Sequence, residues 1–188
     1  MNDLIEHNYD VSPYFSGSLS ESIERKREEI GRFLREHSGM GLVLDQVSLS
    51  LLRSWERFEH VRSMTIIIRP SETFRSLCFL RSFPSLESLE LVASNRTDET
   101  VASVKPEISL EGIENCQRLV TLSLVEIQGL RDIDTLNHCT SIVRYSVKLG
   151  KNQHRAETAE EFIRILRSPD YAPSLWRPRK TLLQRAHF

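Results

Sequence analysis

The sequence is short of everything that would staple it or tether it. Of 188 residues only three are cysteine, at 78, 116 and 139. An odd count with no paired short spacing fits a reducing compartment and argues against a disulfide framework. No run approaches the roughly 18 apolar residues of a membrane helix. The opening MNDLIEHNYDVSPYF carries acids where a secretory leader carries bases, so neither export nor membrane insertion is expected. An excess of one charge is missing too, since 25 Lys and Arg stand against 26 Asp and Glu. Without a whole-molecule field, nucleic acid or an acidic membrane would have to be drawn by a local patch. The expected location is intracellular, nucleus or cytoplasm.

Catalytic signatures are equally scarce. The seven glycines are scattered, with no phosphate-cradling loop and no G-x-S-x-G. The histidines at 7, 37, 60, 138, 154 and 187 show none of the spacings of a zinc site. Cys78 has no neighbour that would activate a thiol. Hence no enzyme activity, metal, cofactor or small-molecule substrate is expected.

What the chain does have is a recurring apolar spacing of three, three and two, set out in SFPSLESLEL as Phe83, Leu86, Leu89 and Leu91. The same spacing gives Phe58, Val61, Met64, Ile66, then Cys116, Leu119, Leu122, Leu124, then Cys139, Ile142, Tyr145, Val147; Leu42 and Leu44 fit the last two places of an earlier copy. Neither a strand nor a helix alone has that period. Measured at the third place (42, 64, 89, 122 and 145), the intervals are 22, 25, 33 and 23 residues. Each set is approached by apolar residues at every third position: Leu49, Leu52, Trp55; Phe74, Leu77, Leu80; Leu110, Ile113; and Leu130, Ile133, Leu136. A period of three suits 3₁₀-like turns, whose side chains at i and i+3 share one face. Each unit therefore pairs a short strand with a turn, and the Cys116 and Cys139 side chains point into the core.

Periods of 20 to 29 residues with this pattern resemble the leucine-rich-repeat superfamily, in particular its short-repeat branch typified by the regulatory subunit of protein phosphatase-1. The resemblance covers residues 40 to 150. It implies an α/β solenoid, a right-handed coil of about five repeats with a parallel concave sheet. The family's turn asparagine is replaced here by Val47, Arg69, Ser94, Ile127 and Gly150. Backbone groups in those turns must therefore find other partners. The long interval holds SNRTDETVASVKPE (94–107), read as a surface loop insertion.

A solenoid needs polar seals at its ends, and both flanks supply a helical pattern. Over 18–38, Ser18 and Glu21 form a capping box ahead of Ile23, Ile30, Phe33 and Leu34, with Gly39 as the stop. Over 156–168, Thr158 and Glu161 precede Phe162, Ile163 and Leu166, and Pro169 ends the helix. The domain plan is thus a flexible segment 1–17, a repeat domain 18–168 with capping helices at both ends, and a basic tail 169–188.

Alternation along the strands turns a second set of residues outward. One outward series is Gly41, Ser63, Ser88, Thr121 and Arg144; a second is Val43, Thr65, Glu90, Ser123 and Ser146; a third is Asp45, Ile67, Val92, Val125 and Lys148. Three branched apolar residues between an acid and a base form a surface on which a protein partner, as a helix or extended segment, can sit. The residues singled out are Ile67, Val92, Val125, Thr65, Glu90, Ser123, Asp45 and Lys148. The tail WRPRKTLLQRAHF offers a second surface, where Arg177, Arg179 and Lys180 beside an aromatic can hold RNA. The short solenoid with an N-terminal helix, the opening LVLDQVSLSLLRSWERFEHV and the basic exit look like the family of the A-prime protein of the spliceosomal U2 particle. That resemblance implies a non-enzymatic, nuclear ribonucleoprotein scaffold in mRNA splicing that clasps a partner helix, with RNA touched by the tail or through the partner. The alternatives are an RNA binder acting through the tail, or a regulatory adaptor of a phosphatase or cytoskeletal complex.

Overall fold

A computed structural model describes residues 5–6, 19–37, 41–45, 49, 51–52, 55–68, 76–93, 107–127, 129–168 and 171. It is a mixed α/β fold built on an open, mostly parallel sheet. Strands β1 (Ile5–Glu6), β2 (Gly41–Asp45), β3 (Ser63–Ile68), β4 (Ser88–Ala93), β6 (Thr121–Val125) and β8 (Arg144–Leu149) run parallel in that order, and β9 (Asn152–Ala156) closes the far edge antiparallel to β8. A small parallel pair, β5 (Glu107–Ser109) with β7 (Gly129–Arg131), forms a second sheet.

The period of three acquires a backbone cause. Within the turns, N–H groups donate to carbonyls three residues back at the apolar places themselves: Leu80 to Leu77, Phe83 to Leu80, Leu86 to Phe83, then Ile113 to Leu110, Cys116 to Ile113 and Leu119 to Cys116. The same steps recur as Cys139 to Leu136 and Ile142 to Cys139. Successive 3₁₀-type turns thus stack every third side chain on one face, and the chain then opens into a strand, where the spacing falls to two. Among the described residues three stretches are regular 3₁₀ helix: Cys78–Ser82, Ile113–Asn115 and Ile133–His138.

Successive units are bonded to one another on the turn side as well, through Phe58 N–H to Ser82 O, Leu77 N–H to Glu111 O and Leu110 N–H to Arg131 O. Gly112 shows how close these passes are. Its φ is +99°, and a Cβ there would stand 2.5 Å from Cys78 N and 2.6 Å from Leu77 C. Only glycine fits.

One hydrophobic core lies against one face of the sheet. Its rows follow the strand register: Leu42, Met64, Leu89, Leu122 and Tyr145 are cross-strand partners, as are Leu44, Ile66, Leu91, Leu124 and Val147, and all are buried. Phe58 and Phe83 stack at 5.5 Å between adjacent units. Helix α1 (Leu19–Glu36) adds Ile30, Phe33 and Leu34 to the same core. It is fastened by Arg27 Nε to Leu51 O at 2.8 Å and by the His60 ring to Leu34 O. Helix α2 (Ala159–Leu166) adds Phe162, Ile163 and Leu166, with the Phe162 ring 4.9 Å from Tyr145. Thr158 caps α2 by accepting from Glu161 N–H at 3.2 Å, which satisfies one of the orphan donors of its first turn.

Several sequence expectations change. Residues 5 and 6 of the segment read as flexible are strand β1, paired with Leu42 and Val43. The C-terminal cap begins at Ala159, not 156, because Ala156 still belongs to β9 and pairs with Tyr145. Trp55, placed in the apolar series, is 66% exposed, since the series ahead of Phe58 turns outward there. Strand β9 was not anticipated, because it lacks the repeat spacing, and neither was the β5–β7 pair, whose Leu130 was read within a turn. Ser18, Gly39, Phe74, Pro169, Trp176 and most of the 94–107 insertion lie outside the described residues.

Candidate functional site

The face of the sheet opposite the core is assembled by register. Asp45, Ile67, Val92, Val125 and Lys148 are successive cross-strand partners, so the third outward series is a continuous row. Val43, Thr65, Glu90, Ser123 and Ser146 form the parallel row beside it, and Ser63, Ser88, Thr121 and Arg144 the next. Every expected protein-contact residue therefore falls in one of two neighbouring rows. Ile67, Val92 and Val125 are half-buried, as are Thr65, Glu90 and Ser123, while Lys148 is exposed. For Asp45 only the backbone position is described.

Glu90 is the centre of this face. Its two carboxylate oxygens each accept a hydroxyl, Thr65 Oγ1 on β3 at 3.3 Å and Ser123 Oγ on β6 at 3.3 Å. The cross-strand register sets this arrangement, which holds the carboxylate upright between its neighbours. Among the described residues no cation pairs with it. Arg62 and Glu87, each just ahead of its strand, form an ion pair at the strand entrance.

The antiparallel β9 adds what the repeat pattern missed. It places Arg155 beside Ser146 and Gln153 beside Lys148, extending both rows. Arg144, Lys148 and Arg155 are all exposed, so this end of the face is basic. The only signal for Arg155 in the sequence is the Gly150 turn that sends the chain back along β8.

Of the five places without asparagine, Val47, Arg69 and Ser94 lie outside the described residues, and at Gly150 a carboxylate serves the turn. Glu126, itself at φ +58°, accepts from Gly150 N–H through Oε1 at 2.9 Å and Oε2 at 3.2 Å, while its own N–H donates to Lys148 O. The carbonyl of Ile127 accepts from the buried Tyr171 hydroxyl. Asp132, at φ +54°, accepts from Ser109 Oγ, and that same oxygen accepts from Glu111 N–H at 3.1 Å. These are structural duties that explain how the turns close.

Two of the three cysteines serve packing. Cys116 and Cys139 are buried, and desolvation pushes their thiols up to about 12 and about 11, with the Cys139 and Glu114 charges adding in the first case and Glu114 in the second. Cys78 is exposed. Among the described residues no group of His, Cys, Asp and Glu is arranged to hold a metal ion. Arg177, Arg179 and Lys180 lie outside the described residues.

No family model, curated protein or solved structure matches the chain. The class defined by its own geometry is a mixed α/β domain with an open, mostly parallel sheet, one face packed on the core and the other half-exposed. No helix among the described residues is long and apolar enough to cross a membrane.

Proposed function

We propose that the chain is a leucine-rich-repeat solenoid capped by α1 and α2, and that it works as a non-enzymatic scaffold holding a helix or segment of a partner protein on its concave sheet. One observation carries the reading: Ile67, Val92 and Val125 stand side by side in register, half-exposed, on the face that the core does not use. Short hydroxyl side chains in the two rows beside them let a partner backbone come close. Burying three such aliphatic side chains contributes on the order of 4–8 kcal/mol before association costs. The sheet from β2 to β8 spans about 20 Å at roughly 4.8 Å per strand, matching a helix of about 14 residues. A ribonucleoprotein complex in the nucleus is the setting that the sequence resemblance suggests for such a scaffold.

The test is affinity capture from native extract with the wild type and Val92→Asp, both checked by circular dichroism. Proteins held by the wild type and lost from the folded variant mark this face. Undiminished capture by the variant removes it as the binding surface.

A further inference from the structure

The open face carries a fixed charge pattern as well as an apolar row. Its central strands β3, β4 and β6 present Ser63, Thr65, Ile67, Ser88, Glu90, Val92, Thr121, Ser123 and Val125 outward, and Glu90 is the one ionisable group among them. The hydroxyls of Thr65 and Ser123 orient its carboxylate without neutralising it. A partner that covers the neighbouring apolar row desolvates this charge, which is unfavourable unless the partner supplies a cation. Two strands further on, at about 10 Å, the face becomes basic through Arg144 and Lys148 on β8 and Arg155 on β9.

We propose that the segment this face accepts is an amphipathic helix with a Lys or Arg opposite Glu90 and an Asp or Glu about seven residues further toward its C-terminus, opposite Arg144, Lys148 and Arg155. This rests on the open face being the binding surface, and it specifies the partner's chemistry and direction. Two helical turns advance about 11 Å, close to the separation of β4 from β8. The negative end of the helix dipole then lies over the basic end of the face, which sets the direction. The helix turns its apolar stripe toward Ile67, Val92 and Val125. A nucleic acid fits less well, because its phosphates would run over the Glu90 carboxylate on the way to the basic end.

The test uses the full chain and two fluorescent helical peptides of about 16 residues with one apolar stripe in common. One has Lys followed seven positions later by Glu, and the other has Gln at both places. In fluorescence anisotropy at low salt the first should bind about tenfold tighter, and the double variant Glu90→Lys, Lys148→Glu should remove the preference. Equal binding of both peptides that Val92→Asp abolishes overturns the charge pattern and leaves the face standing. Binding unaffected by Val92→Asp overturns the face itself. Failure of both peptides to bind, or an unchanged preference in the double variant, also overturns the proposal.

Discussion

The strands of this sheet show two faces made by alternate residues of the same backbone, and the two faces obey different rules. On the core side, Leu42, Met64, Leu89, Leu122 and Tyr145 are all large, uncharged and buried. On the open side, positions one residue away hold serine, threonine, glutamate, valine and lysine in a fixed order. A core position is constrained by the volume it must fill. A half-exposed position is constrained only by β-propensity unless something binds there, so an ordered apolar row flanked by an oriented carboxylate is the more informative side.

The contrast predicts unequal responses to mutation. Leu89→Ala, in the middle of the core row, should cost about 3–4 kcal/mol by urea unfolding, the range for an aliphatic side chain deleted from a closed core. A loss under 1 kcal/mol would mean that the row is not packed. Gly112→Ala should follow at about 2–4 kcal/mol, because a left-handed φ and a backbone clash act together. Thr158→Ala removes the acceptor for Glu161 N–H and should cost about 1 kcal/mol. Val92→Asp, on the opposite face from Leu89, should cost about 1 kcal/mol or less in stability while removing partner capture; a collapse of the fold would show that this face is not open. Asp134→Ala, which breaks the exposed pair with Arg167 at 2.7 Å, should change the unfolding free energy by less than about 0.5 kcal/mol.

The thiols sharpen the contrast chemically. A thiol reagent at neutral pH should find one fast-reacting cysteine, Cys78, and two that react only on unfolding, Cys116 and Cys139. Burial raises the folded pKa of both from the usual 9.0, to about 12 and about 11. Above pH 9 the unfolded chain therefore releases protons that the folded chain keeps. The stability they contribute is present below that pH and declines as pH rises toward 11 to 12. A flat stability profile from pH 8 to 11 would contradict their burial.

The sequence made the strands and their outward residues legible because a strand's period is two and a turn's is three, and the change of period marks each strand entrance. The register of Ile67, Val92 and Val125 followed from the spacing, since each unit repeats the same strand pattern whatever the length of its turn. Strand β9 and the basic cluster with Arg155 were not legible, because Asn152–Ala156 has no apolar alternation and owes its place to pairing with β8. The role of Glu126 was hidden for a similar reason. The residue three places beyond the strand drew attention, yet the carboxylate that closes the turn belongs to the strand's exit and reaches Gly150 in the next unit.

By itself the sequence determined which side chains of the repeat strands are buried, because apolar burial is local in pattern and strong enough to dictate the alternation. Only the tertiary structure decided which neighbours those strands acquire, and with them that Glu90 stands between Thr65 and Ser123 and that Arg155 joins Arg144 and Lys148. Such contacts join residues 9 to 33 positions apart along the chain. They exist only once backbone pairing has fixed the register.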